Sequence, residues 1–340
     1  MPATVLLGAF AVACVLAAQL LAGARWSRRC PVATIVLWQA LGLGWGLATV
    51  GALAGFGSAG LVTASPPATG LAGTGLARST LGQRFGQAGI SGVAAAASER
   101  AARLLLGSAA VGQWDLLAAL RLLSLAASMV MLALLVWVLA AAVAAVLRAR
   151  HRQRTLLGLL AHDDPKVPGA LVVDHPAATA YCVPGLRSAI VISAGALDLL
   201  DQAELAAVLA HERAHLRARH DLVLLPFTAL LRAFRWSATA RAANAEVALL
   251  VEMLADDRAR KRRPARELAT ALLRVGVSGG GYAPVGALTA AGPAANGELA
   301  ARVTRLLRPP PGLPVAAVIV IGLAAAILVL TPATALLLPL

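Results

Sequence analysis

Four long apolar stretches restrict, more than any other feature, how this chain can fold. A membrane-spanning helix needs about 20 predominantly apolar residues, and each stretch is that long and uncharged. Charged residues make up 14% of the 340 residues, whereas a soluble domain carries about 25%. We therefore predict a multi-pass α-helical membrane protein with four transmembrane helices. The stretches are Ala3–Gly23 and Val32–Phe56 within residues 1–56, Leu122–Leu147, and the tail Pro309–Leu340, whose helix we place within 313–340.

The charged residues are concentrated between the third and fourth stretches. Residues 148–308 contain 22 of the 30 Lys and Arg and 14 of the 16 Asp and Glu. A segment of this size can bury its own core, so we expect a folded domain over 148–312. Residues 57–121 are rich in Gly and Ala, and we expect them to form an extracytoplasmic loop, with a helix allowed over 94–106.

Arginine clusters next to the apolar stretches predict the orientation. Loops that carry an excess of Lys and Arg stay in the cytoplasm. All three clusters fall on that side if both termini are extracytoplasmic. We therefore expect a cell-membrane protein whose polar domain faces the cytoplasm. The clusters are Arg25, Arg28 and Arg29; Arg148, Arg150, Arg152 and Arg154; and Arg302, Arg305 and Arg308.

The polar segment contains the pentapeptide His211-Glu212-Arg213-Ala214-His215. Residues four apart lie on one face of a helix, so His211 and His215 can bind one metal ion while Glu212 faces a water on it. Asp201 with Glu204 predicts a capping box that starts this helix. We predict one Zn²⁺ per chain and Glu212 as the catalytic base of a hydrolase.

Catalytic zinc takes three protein ligands and keeps one position for water, so a third ligand is needed. A metzincin would have Gly at 218 and His at 221, where this chain has Ala218 and Asp221. His220 is one residue out of register for that geometry, although a helix break could bring it near.

A second helix, predicted over 242–260, offers a better third ligand. Glu252 and Asp256 are four apart on one face, in the Glu-x-x-x-Asp pattern of gluzincin-type sites. We assign Glu252 as the ligand and Asp256 as the carboxylate that orients a ligating histidine. Glu246 and Asp257 stay open as weaker alternatives.

The rest of the domain combines strands with helices. Branched apolar runs bounded by turn residues predict three short strands. The segment Asp221–Trp236 is apolar and is either a core helix or a helix against the bilayer. Ser278–Gly297 is predicted as a loop and Glu298–Leu307 as a last helix. The strands are Leu171–Val173, Thr179–Val183 and Ala189–Ile192.

The chain resembles the BlaR/MecR-type membrane zinc metallopeptidases, which are antirepressors, and more distantly the HtpX and CAAX-prenyl-protease group. The likeness runs from Val172 to Asp257 and includes His211–His215 and Glu252–Asp256. It implies a gluzincin-like α+β zinc endopeptidase domain, inserted between transmembrane helices, that cuts a transcriptional repressor and also itself. It further implies that an edge strand binds the extended substrate; its residues here are Ala180, Tyr181 and Cys182.

The family's antibiotic sensors carry a penicillin-binding domain after the fourth span. This sequence ends at Leu340 without one, and we expect no direct sensing of β-lactams. The expected partners are a protein substrate, such as a winged-helix repressor, and the lipid bilayer. The basic run Arg258–Arg266 is a solvated face or a lipid contact, and it lacks the interleaved aromatics of a direct nucleic-acid site. A homo-oligomer stays open.

Two other functions also stay open. One is a quality-control protease of the HtpX kind, with many membrane proteins as substrates. The other is a non-catalytic membrane receptor or scaffold whose zinc is structural.

Overall fold

The structure, a computed structural model, describes residues 2–62, 116–165, 167–185, 188–278 and 293–337. Its helices are α1 (Pro2–Ala22), α2 (Pro31–Val62), α3 (Leu116–Leu160), α4 (Ala194–Leu199), α5 (Gln202–Ala218), α6 (His220–Ala233), α7 (Ala238–Ala259), α8 (Ala265–Val277), α9 (Pro293–Leu307) and α10 (Val315–Leu337). Its strands are β1 (Ala161–Asp163), β2 (Leu171–Val173), β3 (Ala180–Val183) and β4 (Ala189–Ser193).

Four of the described helices, α1, α2, α3 and α10, are long and apolar enough to cross a membrane. Helix α2 contacts the other three, and glycines allow its backbone to come close to theirs. A Cβ at Gly44 would lie 2.5 Å from the carbonyl oxygen of Leu328, and one at Gly57 would lie 2.8 Å from that of Arg121. Any larger residue would therefore push α10 or α3 away from α2.

The predicted loop over 57–121 is shorter than expected where it is described. Residues 57–62 continue α2, and residues 116–121 belong to α3. The possible helix over 94–106 lies outside the described residues.

The polar domain is built on one sheet with the strand order β1-β2-β4-β3. Strands β2 and β4 are parallel, and β1 and β3 pair antiparallel at the two edges. The three predicted strands are present, and their buried residues Val172, Ile190 and Ile192 pack against Val208 of α5. Strand β1 was missed because Ala-His-Asp has no strand pattern of its own and extends only by pairing with β2.

Helices of the polar domain pack directly on the candidate membrane-spanning helices. Phe227 of α6 and Val247 of α7 share one buried cluster with Cys14 of α1 and Trp38 of α2. The segment that was open between a core helix and a bilayer contact forms α6, which packs against α3. The polar domain is therefore joined to these candidate spanning helices by apolar packing as well as by the chain connections.

Two elements near the C-terminus differ from the prediction. Helix α9 begins at Pro293, so residues 293–297, predicted as loop, are helical; proline is tolerated in a first helical turn because its missing N–H is not needed there. Helix α8 was not predicted, because the basic run at its start obscured the apolar positions Leu268, Leu272 and Val275, which are buried.

Several arginines that predicted the orientation are engaged in ion pairs within the protein. Their charges are therefore balanced internally, which weakens them as topological signals, and the orientation stays a prediction. The pairs are Arg28 with Glu246, Arg150 with Asp221, Arg302 with Asp256 and Arg305 with Asp257.

Candidate metal centre

Helix α5 carries the His-Glu motif and starts at the predicted capping box. The backbone N–H of Glu204 donates to Asp201 Oδ1 at 2.8 Å, and that of Asp201 donates to Glu204 Oε2 at 3.0 Å. The cap fixes the helix start, and packing of α5 against the sheet and α7 then buries His211 and Glu212.

The side chains of the three predicted zinc ligands converge on one point. The Nε2 atoms of His211 and His215 lie 3.0 Å apart. The carboxylate of Glu252 on α7 lies 3.4 Å from each of them, through Oε2 and Oε1 respectively. Two imidazoles and one carboxylate, with ligand atoms within 4.8 Å of one another, match the donor set of a catalytic zinc site that leaves a fourth position for water.

Asp256 lies behind this group, one turn of α7 after Glu252. Its Oδ1 is 2.9 Å from Nδ1 of His211, so it can fix the tautomer that leaves Nε2 free to bind metal. Burial lowers the pKa of His211, but the carboxylates of Asp256 and Glu252 outweigh that effect and raise it to about 9. Without metal, this histidine therefore holds a proton at neutral pH.

Glu212 is buried next to the ligand group. Burial raises its pKa, while the charges of His211 and His215 act in the opposite direction. The thiol of Cys182, on the edge strand β3, lies close enough to the Glu212 carboxylate to feel its charge. Burial first, and then that charge, raises the pKa of the Cys182 thiol, which therefore stays neutral.

Sequence reasoning missed Arg302 on α9, which it treated as a charge beside the membrane. Its side chain is 8% exposed; Nε and Nη2 donate to Asp256 at 2.8 Å, and Nη1 lies 2.9 Å from Glu252 Oε2. Burial raises the pKa of Asp256, but Arg302 outweighs it and holds that pKa at about 2. Arg302 is therefore the main cation that keeps Asp256 ionised, and it lowers the pKa of Glu252 together with the larger effect of His215. The available signal was its position on the apolar stripe formed by Val303 and Leu306.

His220 also reaches the site, because α5 ends abruptly. Arg219 adopts a left-handed conformation with φ of 47°, and the break turns His220 back so that its Nδ1 lies 2.9 Å from Nδ1 of His215. Its Nε2 lies 2.9 Å from Nη1 of Arg258. Burial, followed by the charges of His215 and Arg258, lowers the pKa of His220 to about 3. His220 is thus a neutral partner of the predicted ligand His215.

The weaker third-ligand candidates point elsewhere. Glu246 pairs with Arg28, and Asp257 pairs with Arg305. Neither belongs to the group of converging ligand atoms found among the described residues.

A cleft of about 180 Å³ opens beside these residues. His215, Glu252 and Cys182 line one wall, and Ala142 and Ala145 of α3 line another. These alanines belong to the apolar third stretch, so the cleft lies next to the end of a candidate spanning segment.

One comparison with known proteins bears directly on this geometry. Residues 146–256 match the model of peptidase family M48. The M48 segment runs from the last third of α3 to Asp256, and it contains His211, Glu212, His215 and Glu252. Members of this family are zinc metalloproteases, so the match supports a metallopeptidase. No curated protein matches the chain, and no solved structure does.

Two features lie outside what the match covers. Arg302 follows the M48 segment in the chain, although it contacts Asp256 at the segment's last position. The match also does not confirm the resemblance to the BlaR/MecR type, so that interpretation stays a prediction.

Proposed function

We propose that the chain is a membrane-bound zinc endopeptidase that cuts proteins at the cytoplasmic face of the membrane. The observation that carries the proposal is the convergence of His211, His215 and Glu252 beside the buried carboxylate of Glu212. The three would hold one Zn²⁺, with Asp256 orienting His211.

Bound zinc would supply Lewis acidity, polarising the scissile carbonyl and lowering the pKa of a water molecule. Glu212 accepts the proton of the attacking water and delivers it to the leaving amine. Burial raises the pKa of Glu212, which makes its carboxylate a better acceptor for the proton of the attacking water.

The edge strand β3 would hold the substrate in an extended form. Strand β3 pairs on one side with β4, and an extended peptide could add to its other edge through backbone hydrogen bonds. Ala180, Tyr181 and Cys182 lie along that strand, and Cys182 also lines the cleft. A peptide bound there would run past Glu212.

The resemblance to antirepressors supports a regulatory role, in which the substrate is a transcriptional repressor and the chain also cuts itself. A second candidate is quality control of membrane proteins. It is favoured by the position of the cleft beside Ala142 and Ala145, within reach of a polypeptide that emerges from the bilayer.

The test is Glu212→Gln in the full chain, reconstituted in membranes and supplied with zinc. We expect zinc content to be unchanged and cleavage of an unfolded model protein to fall by about 10²–10⁴-fold. Asp174→Asn, which neutralises an exposed carboxylate outside the site, should leave both unchanged. Cleavage at the wild-type rate in Glu212→Gln would overturn the proposal.

The two substrate classes need a separate measurement. Cells that express wild-type protein or Glu212→Gln are compared by quantitative proteomics. Accumulation of one DNA-binding repressor in the variant supports the regulatory role, whereas accumulation of many membrane proteins supports quality control.

A further inference from the structure

A second cavity, of about 890 Å³, lies between α2, α3, α6 and α10, apart from the cleft. Its wall includes Leu135 and Val138 of α3, Leu230 of α6, and Ala326 and Val329 of α10. On α3 and α10 these positions are in the middle of candidate spans. The cavity is therefore at the depth of the bilayer's hydrocarbon core.

The lining of this cavity has almost no free groups that could hydrogen-bond to water. It is apolar apart from Gln39 and Trp45, and the amide of Gln39 already donates to the carbonyl oxygen of Val223 at 2.9 Å. A buried water normally makes about three hydrogen bonds, so water gains little here. An empty cavity would forfeit the dispersion contacts of its whole lining, which favours an apolar occupant.

The cavity also opens toward the outside of the helix bundle. Three of its lining residues, Leu43, Leu139 and Leu330, are 53%, 44% and 59% exposed. At this depth, the surroundings of a spanning protein are lipid chains. An acyl chain can therefore enter sideways from the bilayer.

The volume of the cavity fits an acyl chain but not a transmembrane helix. A transmembrane helix about 10 Å across and 30 Å long takes up more than about 2,000 Å³, which the cavity cannot hold. Its lining on α2 extends from Val36 to Val50, roughly 20 Å along the helix. That length accommodates a chain that spans one leaflet, about 15 Å.

We propose that this apolar chamber is a binding site for one acyl chain of a membrane phospholipid. Helix α6 is a wall of both the chamber and the catalytic cleft, through Leu230 on one side and Thr228 on the other. A bound chain thus supports the helix whose first residue, His220, contacts His215.

The test uses the full chain in phosphatidylcholine–phosphatidylglycerol vesicles that contain a phospholipid with a photoreactive diazirine in its acyl chain. After irradiation, labelled peptides are mapped by mass spectrometry. We expect Val138, Leu230 and Val329 to be labelled at least fivefold more than Trp137, which is 72% exposed on α3 and does not line the chamber. Equal labelling of the chamber and Trp137 would overturn the proposal.

A variant whose larger side chain fills the chamber can be compared with a matched control outside it. Gly322 lines the chamber with no atom within 4 Å of an added Cβ, and Gly8 is equally open but lies on α1, away from the chamber. Gly322→Leu should reduce chamber labelling at least fivefold, and Gly8→Leu should not change it. Should Gly322→Leu not fold, Gly46→Leu takes its place, since a Cβ there meets Leu135 only at 3.8 Å.

A lipid-release experiment gives an independent readout. Protein stripped of lipid should gain thermal stability when phospholipid is returned, and Gly322→Leu should gain less. An equal gain in both would count against an acyl-chain site, as would a co-purified polypeptide cross-linked in the chamber. Neither measurement depends on peptidase activity, so the proposal stands or falls separately from the proposed function.

Discussion

Arg302 and Asp256 form a buried two-bond ion pair, with Nε and Nη2 of the arginine each 2.8 Å from a carboxylate oxygen. The same guanidinium reaches Glu252 at 2.9 Å. One turn later, Arg305 makes an equivalent pair with Asp257 and also donates to the carbonyl oxygen of Arg28. Two arginine clamps, the ion pairs Arg302–Asp256 and Arg305–Asp257, thus join α9 to α7. Of these, the Arg302 clamp contacts the candidate metal ligands.

The first prediction concerns Arg302→Gln. The substitution removes the cation that pairs with the buried carboxylate of Asp256 and the partly buried one of Glu252, and breaking a buried pair costs about 3–5 kcal/mol. We also expect zinc affinity to fall about 10–100-fold, as for other residues that orient ligands. Chemical unfolding and a competition assay for zinc measure the two effects.

Arg305→Gln is the matched control, because it removes the neighbouring clamp but no contact to the ligand group. It should lower stability and leave zinc affinity unchanged. The zinc affinity of Arg302→Lys should lie between those of Arg302→Gln and wild type, since a lysine keeps the charge but cannot donate in the same planar arrangement. Equal zinc affinities for Arg302→Gln and Arg305→Gln would contradict the assigned role.

The second prediction is that Asp256→Asn weakens zinc binding about 10–100-fold, whereas Asp257→Asn does not. The neutral amide can no longer hold Arg302, and it accepts more weakly from Nδ1 of His211. In a double-mutant cycle, Arg302→Gln and Asp256→Asn should be strongly non-additive. Additive losses would mean that the two residues act independently.

The third prediction concerns pH. His211 has a pKa of about 9 in the metal-free protein, and zinc binds only neutral imidazole. Zinc affinity should therefore rise with pH up to about 9, by roughly tenfold per unit for one released proton. Calorimetry in buffers of different ionisation enthalpy counts that proton, and binding without proton release would contradict the assignment.

The raised pKa of His211 also affects the stability of the metal-free protein, which should fall as pH rises. His211 has a higher pKa when folded than its ordinary value of 6.5, so its contribution to the stability of the metal-free protein is complete below pH 6.5. That contribution is lost as pH rises through about 9. Metal-free protein should lose thermal stability over this window, while the stabilisation by zinc grows.

The fourth prediction is that His220→Ala weakens zinc binding about tenfold or more. When Nε2 of His215 binds metal, its Nδ1 carries the proton, and Nδ1 of His220 accepts it in the tautomer that has the His220 proton on Nε2. In that tautomer Nε2 of His220 no longer accepts from Arg258. His220→Asn, whose carbonyl can accept, should retain more affinity than His220→Ala. Substitution of the exposed His162 by alanine serves as the control. A similar loss of zinc affinity in His162→Ala would contradict the role assigned to His220.

Local sequence patterns predicted the elements that form within one helix or strand. The Asp201–Glu204 capping box and the three strands are present because each depends on residues that are close in the chain. The two-helix pattern also anticipated the meeting of His211, His215 and Glu252. It could not choose among Glu252, Glu246 and Asp257 by geometry, because that choice depends on how α7 is rotated against α5.

The sequence by itself determined the four apolar stretches and the His-Glu motif, because hydrophobicity and helical spacing are properties of neighbouring residues. Only the tertiary structure decided which arginine serves the site and how α5 ends. Arg302 lies 46 positions beyond Asp256, and its charge is stable in the interior only once two carboxylates meet it there. His220 reaches His215 through a left-handed residue that is not glycine, a conformation that packing imposes and local propensity disfavours.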